Sequence, residues 1–238
     1  MLLVNQLFPN YTIEFMSNEW VVNTSATLAG ILMFLVLGQR LSARNNVMVT
    51  YVMGAIMFCS SVMIPLWSAF NGQFNVNTDF PLHLCGISGL ICSVLPFLKR
   101  KQFLFDFVFY SGIIGGIVSI LTPQLNSYDG SHFVYIEYYV RHGLILLMPL
   151  FMFRNLNIQP SKYSSLKSFL ILNVLMVIIM PLNFYLGSNY MYLVEPPQVN
   201  NPLIIGQWPF YLLWLEVFVF GFMAFFYALS KIKLSRIY

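Results

Sequence analysis

The chain has 238 residues, of which 58% are hydrophobic and only 8% are charged, with a formal net charge of +4. A soluble domain carries about a quarter charged residues, so this composition excludes a water-soluble globule and fits a protein dissolved in lipid. The small net charge, spread over short loops, excludes a nucleic-acid partner. Three cysteines without a Cys-x-x-Cys pair argue against a disulfide framework or a structural zinc site.

Seven apolar runs reach or approach the roughly 20 residues that a transmembrane helix needs. In chain order they are Trp20–Gly38, Val47–Phe70, Phe80–Phe97, Phe103–Leu121, Phe133–Phe153, Leu166–Leu186 and Trp208–Leu229, the third being the shortest. The sequence therefore predicts an all-α fold, a polytopic membrane helix bundle with about seven transmembrane helices. We expect one transmembrane domain, residues 20–238, preceded by an interfacial segment, residues 1–19, at the outer surface.

The basic residues predict the orientation of these helices. Eleven of the twelve lie in the first, third and fifth connections and in the tail: Arg40, Arg44, Lys99, Arg100, Lys101, Arg154, Lys162, Lys167, Lys231, Lys233 and Arg236. The other segments hold acidic residues instead: Glu14, Glu19, Asp79, Asp129 and Glu195. Because basic loops stay in the cytoplasm, the amino terminus is predicted outside and the carboxyl terminus in the cytoplasm.

Several ionisable residues lie inside or at the rim of the predicted spans, where each costs roughly 2.5–3.5 kcal/mol. They are His83, Asp106, Glu137, Arg141, His142 and Glu216. We interpret Asp106 as an interfacial carboxylate near the basic loop at residues 99–101. The other five fall in the outer half of the bundle, together with Asn183 and Asn189. This shared depth predicts a polar cavity that opens toward the outer leaflet.

Glu137 and Arg141 are spaced i, i+4 with the acid first, which favours an ion pair on one helix face. Two interpretations remain open, since the pair either neutralises itself or leaves the Arg141 guanidinium to hold a phosphate or carboxylate headgroup. His142 points about 100° away from Arg141, toward the bundle interior. A buried histidine is often only a packing residue, but polar neighbours at the same depth favour a functional one.

Cys85 differs from Cys59 and Cys92, which we interpret as inert apolar residues. It follows Pro81 by four residues, so it is predicted near a helix amino terminus, where the helix dipole favours a thiolate. His83 is two residues away and points to the opposite side of a regular helix. His142, from another helix at a compatible depth, is therefore the better candidate base for Cys85.

Short motifs between residues 81 and 216 resemble those of the YwaF-type bacterial integral membrane proteins. Pro81–Cys85 (PLHLC) resembles the family's LPLHLC, and Leu121–Leu125 (LTPQL) resembles its LTPDL. The remaining matches are His132-Phe133 with Arg141-His142-Gly143 for HF…SHG with Arg in place of Ser, Asn183 with Gly187–Leu193 for N…GSNY-x-x-L, and Trp208-Pro209-x-Tyr211 with Glu216 for WPWY…E.

The YwaF type is itself similar to the eukaryotic transmembrane protein 164 group, lipid acyltransferases that use a cysteine and a histidine. That group resembles lipid hydrolases of the androgen-induced-protein type, which use a threonine and a histidine. The resemblance implies a bacterial cytoplasmic membrane protein of phospholipid metabolism. By position it places the family cysteine on Cys85 and the family histidine on His142.

The first functional hypothesis is a membrane lipid acyltransferase or hydrolase that works on membrane lipids without a cofactor. Cys85 is the candidate nucleophile and His142 its base. The candidate substrate-binding residues are His83, Arg141, Asn183, Asn189, Tyr190 and Glu216. The alternative is a non-catalytic lipid or small-solute binding or transport protein that uses the same cavity. A zinc site built from His83, Cys85, His142 and Glu216 is a third hypothesis.

Overall fold

The computed structural model describes residues 11–126, 128, 130–199 and 204–232. Its helices are α1 Asn18–Arg40, α2 Ala43–Phe58, α3 Ile64–Phe70, α4 Leu84–Val94, α5 Gln102–Leu121, α6 His132–Asn155, α7 Ser164–Leu186 and α8 Phe210–Lys231. Residues 1–10 of the expected interfacial segment, Asp129, Lys233 and Arg236 lie outside the described residues. The predicted all-α, polytopic helix bundle is confirmed.

Within the described residues, six helices are long and apolar enough to cross a membrane. They are α1, α5, α6, α7, α8 and the continuous rod Ala43–Phe70, in which one π-helical turn, Cys59–Met63, joins α2 to α3. Serine side chains start several of them: Ser17, Ser42 and Ser131 each accept a hydrogen bond from a backbone N–H of the first helical turn. These helices begin and end close to the predicted bounds.

The third apolar run forms a shorter helix than the sequence predicts. Residues 80–83 form a turn, and α4 begins only at Leu84, continuing through one 3₁₀ turn to Phe97. At 1.5 Å per residue this helix is about 21 Å long. It is therefore about 9 Å shorter than a hydrocarbon core that is about 30 Å thick. The amino terminus of α4 therefore lies within the bundle, where Leu84 and Cys85 pack against the core.

Hydrogen bonds between connections show which loops share an end of the bundle. At one end Lys231 Nζ donates to the Pro160 carbonyl, 2.8 Å away, and the Ser161 N–H donates to Asp106 Oδ1 at 3.0 Å. This end also carries the basic loops after α1, α4 and α6. The predicted segregation of basic residues is thus matched by the fold, while the side of the membrane that this end faces stays a prediction.

The opposite end is closed by a cap built from three segments. Strand β1, Tyr11–Thr12, pairs antiparallel with β2, Gln124–Leu125, and Ile13 packs beneath them against Leu125. The side-chain oxygen of Gln124 accepts from the backbone N–H of Gln198, 3.0 Å away in the loop between α7 and α8. This cap covers the polar ends of the helices that it joins.

Helix α5 lies at the centre of the bundle and packs against α1, α4, α6, α7 and α8. Its glycines allow close approach, since a Cβ on Gly112 would lie 2.8 Å from the Ile145 carbonyl oxygen and one on Gly116 would lie 2.7 Å from Leu146 Cβ. Small residues at helix contacts are typical of membrane bundles. As a result, the backbones of α5 and α6 come close together from the middle of α5 toward its carboxyl-terminal half.

Candidate active site

The amino terminus of α4 carries the candidate nucleophile. His83 is the N-cap residue, so Cys85 occupies the second helical position, closer to the helix end than the sequence predicts. The backbone N–H groups of the first turn have no partner within a helix, and they favour negative charge at this point. Gly86 lets the chain turn tightly, because a Cβ there would lie 2.8 Å from the Pro81 backbone.

Cys85 faces α5 on a surface formed by small residues. Its sulfur lies 3.2 Å from the Ser119 hydroxyl, and a Cβ on Gly115, one turn earlier, would lie 3.1 Å from the same sulfur. Electrostatic interactions also connect the thiol with the hydroxyls of Tyr138 and Tyr192. Tyr192 belongs to the loop between α7 and α8, where burial raises the pKa of its phenol, so this hydroxyl stays protonated.

His142 lies on α6 and is 5% exposed. Its Nδ1 is 2.7 Å from the Tyr138 carbonyl oxygen, one turn earlier on the helix. A carbonyl oxygen only accepts, so Nδ1 carries the hydrogen and Nε2 of the neutral ring keeps its lone pair. That lone pair is what a general base requires.

Tyr138 connects the surroundings of Cys85 with those of His142. Its ring lies against the His142 imidazole, with centroids 4.2 Å apart. Its hydroxyl donates to the Ser119 carbonyl oxygen at 2.9 Å, and the hydroxyl of the same Ser119 touches the Cys85 sulfur. The structure therefore brings the two candidate catalytic residues to one region, where α4, α5 and α6 meet.

Arg141 supplies the positive charge of this region. Its Nε lies 3.4 Å from Glu137 Oε1, which confirms the predicted i, i+4 pair. Ser60, in the π-helical turn, donates a hydrogen bond to the same carboxylate oxygen. The Arg141 side chain is one-third exposed although its Nε is buried, and its charge acts on His83, Cys85 and His142. An anionic group near Cys85 would therefore meet a charge that is only partly neutralised.

Three candidate binding residues build the loop beside His83. Asn183 accepts from the Tyr190 N–H at 2.8 Å and donates to the Tyr190 carbonyl at 2.9 Å. Asn189 accepts from the N–H groups of Val194 and Glu195, both at 3.1 Å, and donates to the Glu195 carbonyl. Tyr190 itself is fully buried. These polar groups hold the loop in place, and a direct role in binding stays a prediction.

Glu216 lies elsewhere, between α7 and α8. Its Oε2 accepts from Asn173 Nδ2 at 2.9 Å, and its side chain lines a groove of about 260 Å³ whose other walls are apolar. Among the described residues His142 bonds to Tyr138 rather than to Glu216. An orienting role for Glu216 at His142 therefore finds no contact in this part of the chain.

Two further interpretations change with the structure. Asp106 accepts hydrogen bonds from Gln102 at 2.8 Å and from both the backbone and the side chain of Ser161, so it anchors the loop between α6 and α7. Across the described ranges, no three His, Cys, Asp or Glu side chains lie close enough to hold a metal ion. The zinc hypothesis thus has no gathered ligand set in these ranges.

Sequence reasoning missed Ser119, Tyr138, Tyr192 and Ser60. Tyr138 carried a usable signal, because it lies four residues before His142 and therefore on the same helix face. Ser119 lies four residues after Gly115, on the face that meets Cys85. Tyr192 and Ser60 carried no such signal, because a loop and a π-helical turn bring them to the site.

Long apolar helices around a cluster of polar side chains define a multi-pass membrane protein with a polar site near one end of the bundle. A model of the TMEM164 family matches residues 15–227, which is most of the chain. The protein belongs to the TMEM164 family. No curated protein and no solved structure gives a significant match. The resemblance is thus confirmed at the level of the transmembrane protein 164 group, and the YwaF subtype stays a prediction.

Proposed function

We propose that the protein is a membrane lipid acyltransferase or lipid hydrolase that forms a thioester on Cys85. The observation that carries the proposal is the junction of α4, α5 and α6. There a cysteine at a helix amino terminus lies beside Ser119, and Tyr138 connects Ser119 to a histidine whose Nε2 keeps its lone pair. A nucleophile and a base on packed helices meet the general requirement for covalent acyl transfer.

The chemistry proceeds in two displacements. His142 Nε2 takes the thiol proton as the Cys85 sulfur attacks the carbonyl carbon of a lipid ester, giving a tetrahedral oxyanion. When the oxyanion collapses, the carbon–oxygen ester bond breaks and His142 returns the proton to the leaving alcohol. A second alcohol or water, deprotonated by His142, then attacks the thioester and releases the thiol. No cofactor takes part in this sequence.

The substrate is proposed to be a membrane lipid of the outer leaflet. Arg141 would hold the anionic part of the lipid headgroup, since its side chain is one-third exposed and meets one carboxylate, Glu137, among the described residues. His83 lies beside the reacting centre, and the loop of Asn183, Asn189 and Tyr190 borders it. Glu216 would contact the lipid from the groove between α7 and α8. We place the protein in the bacterial cytoplasmic membrane, with the amino-terminal segment at its outer surface.

The test is trapping of the acyl-enzyme. Purified protein is incubated in detergent micelles with p-nitrophenyl dodecanoate, and intact mass spectrometry measures a dodecanoyl adduct that hydroxylamine removes. We expect the adduct on the native chain and none on Cys85→Ala. His142→Ala should acylate about 10²–10⁴-fold more slowly, the usual loss when a general base is removed. The double variant should be hardly worse than Cys85→Ala, because the two residues act as one unit.

Cys92→Ala is the matched control, because Cys92 is fully buried in the same helix and lies away from the polar cluster. It should acylate at nearly the native rate, as should Cys59→Ala. A native chain that copurifies with lipid but never acquires the adduct would favour the alternative, a binding or transport protein that uses the same polar region. An adduct that persists in Cys85→Ala would place the nucleophile on another residue.

A further inference from the structure

The two histidines of the site are held as opposite ring tautomers. His142 donates from Nδ1 to the Tyr138 carbonyl at 2.7 Å, so its Nε2 is free of hydrogen. His83 accepts at Nδ1 from the Met191 N–H at 3.2 Å, because an amide nitrogen only donates. In a neutral ring the hydrogen of His83 must therefore lie on Nε2. One ring offers a lone pair and the other offers a donor.

The loop that fixes His83 adopts a strained backbone to do so. Met191 and Tyr192 have φ angles of 57° and 53°, in the left-handed region that side chains disfavour. Each such residue costs on the order of 1–3 kcal/mol and persists where its surroundings enforce it. Here the Asn183 side chain bonds to both the N–H and the carbonyl of Tyr190. These two bonds orient the following N–H, that of Met191, toward His83. Strain of this kind is typical of functional sites.

Both imidazoles belong to the surroundings of Cys85, since His83 lies two residues before it and the His142 ring packs on Tyr138, which bonds to the Ser119 beside the sulfur. No described side chain or backbone group bonds to Nε2 of either ring. The rings interact electrostatically with each other, and the charge of Arg141 acts on both. His83 cannot serve as the base for Cys85 in this state, because its acceptor nitrogen is already occupied by Met191.

We propose that the loop between α7 and α8 locks His83 as the Nε2–H tautomer so that this ring donates a hydrogen bond to the oxyanion of the Cys85 reaction. The assignment rests on the proposed function. As the thiolate attacks, the carbonyl π electrons move to oxygen, and the His83 Nε2–H stabilises the resulting negative charge while keeping its proton. The thiol proton goes to His142 alone. Preorganised donors of this kind act on the transition state rather than on the bound substrate.

Two amide substitutions at position 83 separate the two ring nitrogens. His83→Asn places an amide where Nδ1 lies, so it keeps the anchor to Met191 and loses the donor. His83→Gln extends one bond further and places its amide where Nε2 lies, so it keeps the donor. Removing one oxyanion donor costs about 10²–10³-fold in rate. We expect His83→Asn to acylate about 10²–10³-fold more slowly with p-nitrophenyl dodecanoate, with KM nearly unchanged, and His83→Gln to recover much of kcat.

Alkylation of Cys85 by iodoacetamide separates the two possible roles of His83. If His83 only maintained the structure, its replacement would slow alkylation as well as acylation. Alkylation displaces iodide in one step and forms no oxyanion, so it needs the thiolate but not the donor. In a Cys59→Ala, Cys92→Ala background, His83→Asn should be alkylated within about 2-fold of the background rate, while acylation keeps its full 10²–10³-fold loss. Alkylation and acylation falling together would overturn the proposal, because His83 would then only maintain the fold or the thiolate.

The tautomers can be observed without any turnover. The chain contains only three histidines, so nitrogen-15 spectra of labelled protein are assignable by single His→Gln changes. His83 should show a protonated Nε2 and a bare Nδ1, and His142 the reverse. The opposite pattern at His83, or full activity of His83→Asn on a native chain that does acylate, would refute this assignment alone. A native chain that never acylates would instead refute the proposed function, leaving the tautomer measurement to stand by itself.

Discussion

At the scale of single residues, close backbone contacts decide how near the reactive groups come to one another. Gly86 touches the Pro81 backbone, and Gly115 leaves room for the Cys85 sulfur against α5. A Cβ at Gly86 would lie 2.8 Å from the Pro81 backbone, and one at Gly115 would lie 3.1 Å from the Cys85 sulfur. Either contact forces a shift of the backbone or of the sulfur. Steric room is therefore as much a part of this site as its polar groups.

Gly86→Ala tests this requirement. Its Cβ would lie 2.8–2.9 Å from three backbone atoms of Pro81, which cannot rotate away. We expect a destabilisation of about 1–3 kcal/mol, the usual cost of overpacking, seen as a lower thermal unfolding midpoint in detergent. Gly30→Ala is the control, since a Cβ added there would meet no atom within 4 Å and Ala is the better helix former. Equal midpoints for the two variants would show that the turn before α4 yields easily.

At the scale of helices, the π-helical turn at Cys59–Met63 joins the α2–α3 rod to α6. A π-turn inserts one extra residue per turn and shifts the side chains that follow it. Here it directs Ser60 onto the carboxylate of Glu137, which also meets Arg141. The charge pair is thereby bonded to a second helix, which restricts the position of the Arg141 guanidinium.

The double variant Glu137→Gln, Arg141→Met measures what the pair does. Because a buried pair can be replaced by groups of similar size without large loss of stability, the variant should fold with a nearly native unfolding midpoint. If Arg141 holds an anionic headgroup, turnover of phosphatidylglycerol in nanodiscs should fall by about 10-fold or more, mostly through KM. Arg154→Met, at the other end of α6, is the control and should leave KM unchanged. Native turnover in the double variant would remove Arg141 from the site.

Helix positions were predictable because a transmembrane helix must be long and apolar, and six of the seven expected spans have nearly the expected bounds. The start of α4 was not, since the apolar run continues through residues 80–83, which form a turn whose Phe80 N–H donates to the distant Tyr190 hydroxyl. His142 was a candidate because polar groups are costly in lipid, and Cys85 because it lies near a helix amino terminus; their catalytic roles stay predictions. The tautomers of His83 and His142 depend on backbone partners, one of which lies 108 residues away along the chain, and composition carries no trace of them.

At the scale of the whole molecule, the fold separates two chemically different ends. One end gathers the basic loops after α1, α4 and α6, and the other gathers the cap of β1, β2 and the loop between α7 and α8. The polar site lies beneath this cap. Orientation in the membrane would therefore decide which leaflet supplies the lipid in the proposed reaction.

Single cysteines placed in a chain without Cys59, Cys85 and Cys92 test the orientation. Cysteines at Asn71 and Glu195, on the capped end, should react in intact cells with an impermeant maleimide. Cysteines at Ser42 and Lys162, on the basic end, should react only after the membrane is opened, because basic loops remain in the cytoplasm. All four positions are exposed, so access to the reagent differs only by side. Labelling of Ser42→Cys in intact cells would invert the topology and assign the site to the inner leaflet.

The short α4 has a consequence for how this scaffold can diversify. At the end where α4 stops short, the loop between α7 and α8 is held by Asn183 of α7 and by its own Asn189, which bond to its backbone amides and carbonyls. Irregular backbone at membrane depth is stable only when its polar groups are hydrogen-bonded within the protein. Loops accept substitutions and changes of length far more readily than packed helices do. This loop can therefore change in sequence or length while α4 and α6, which carry Cys85 and His142, keep their positions.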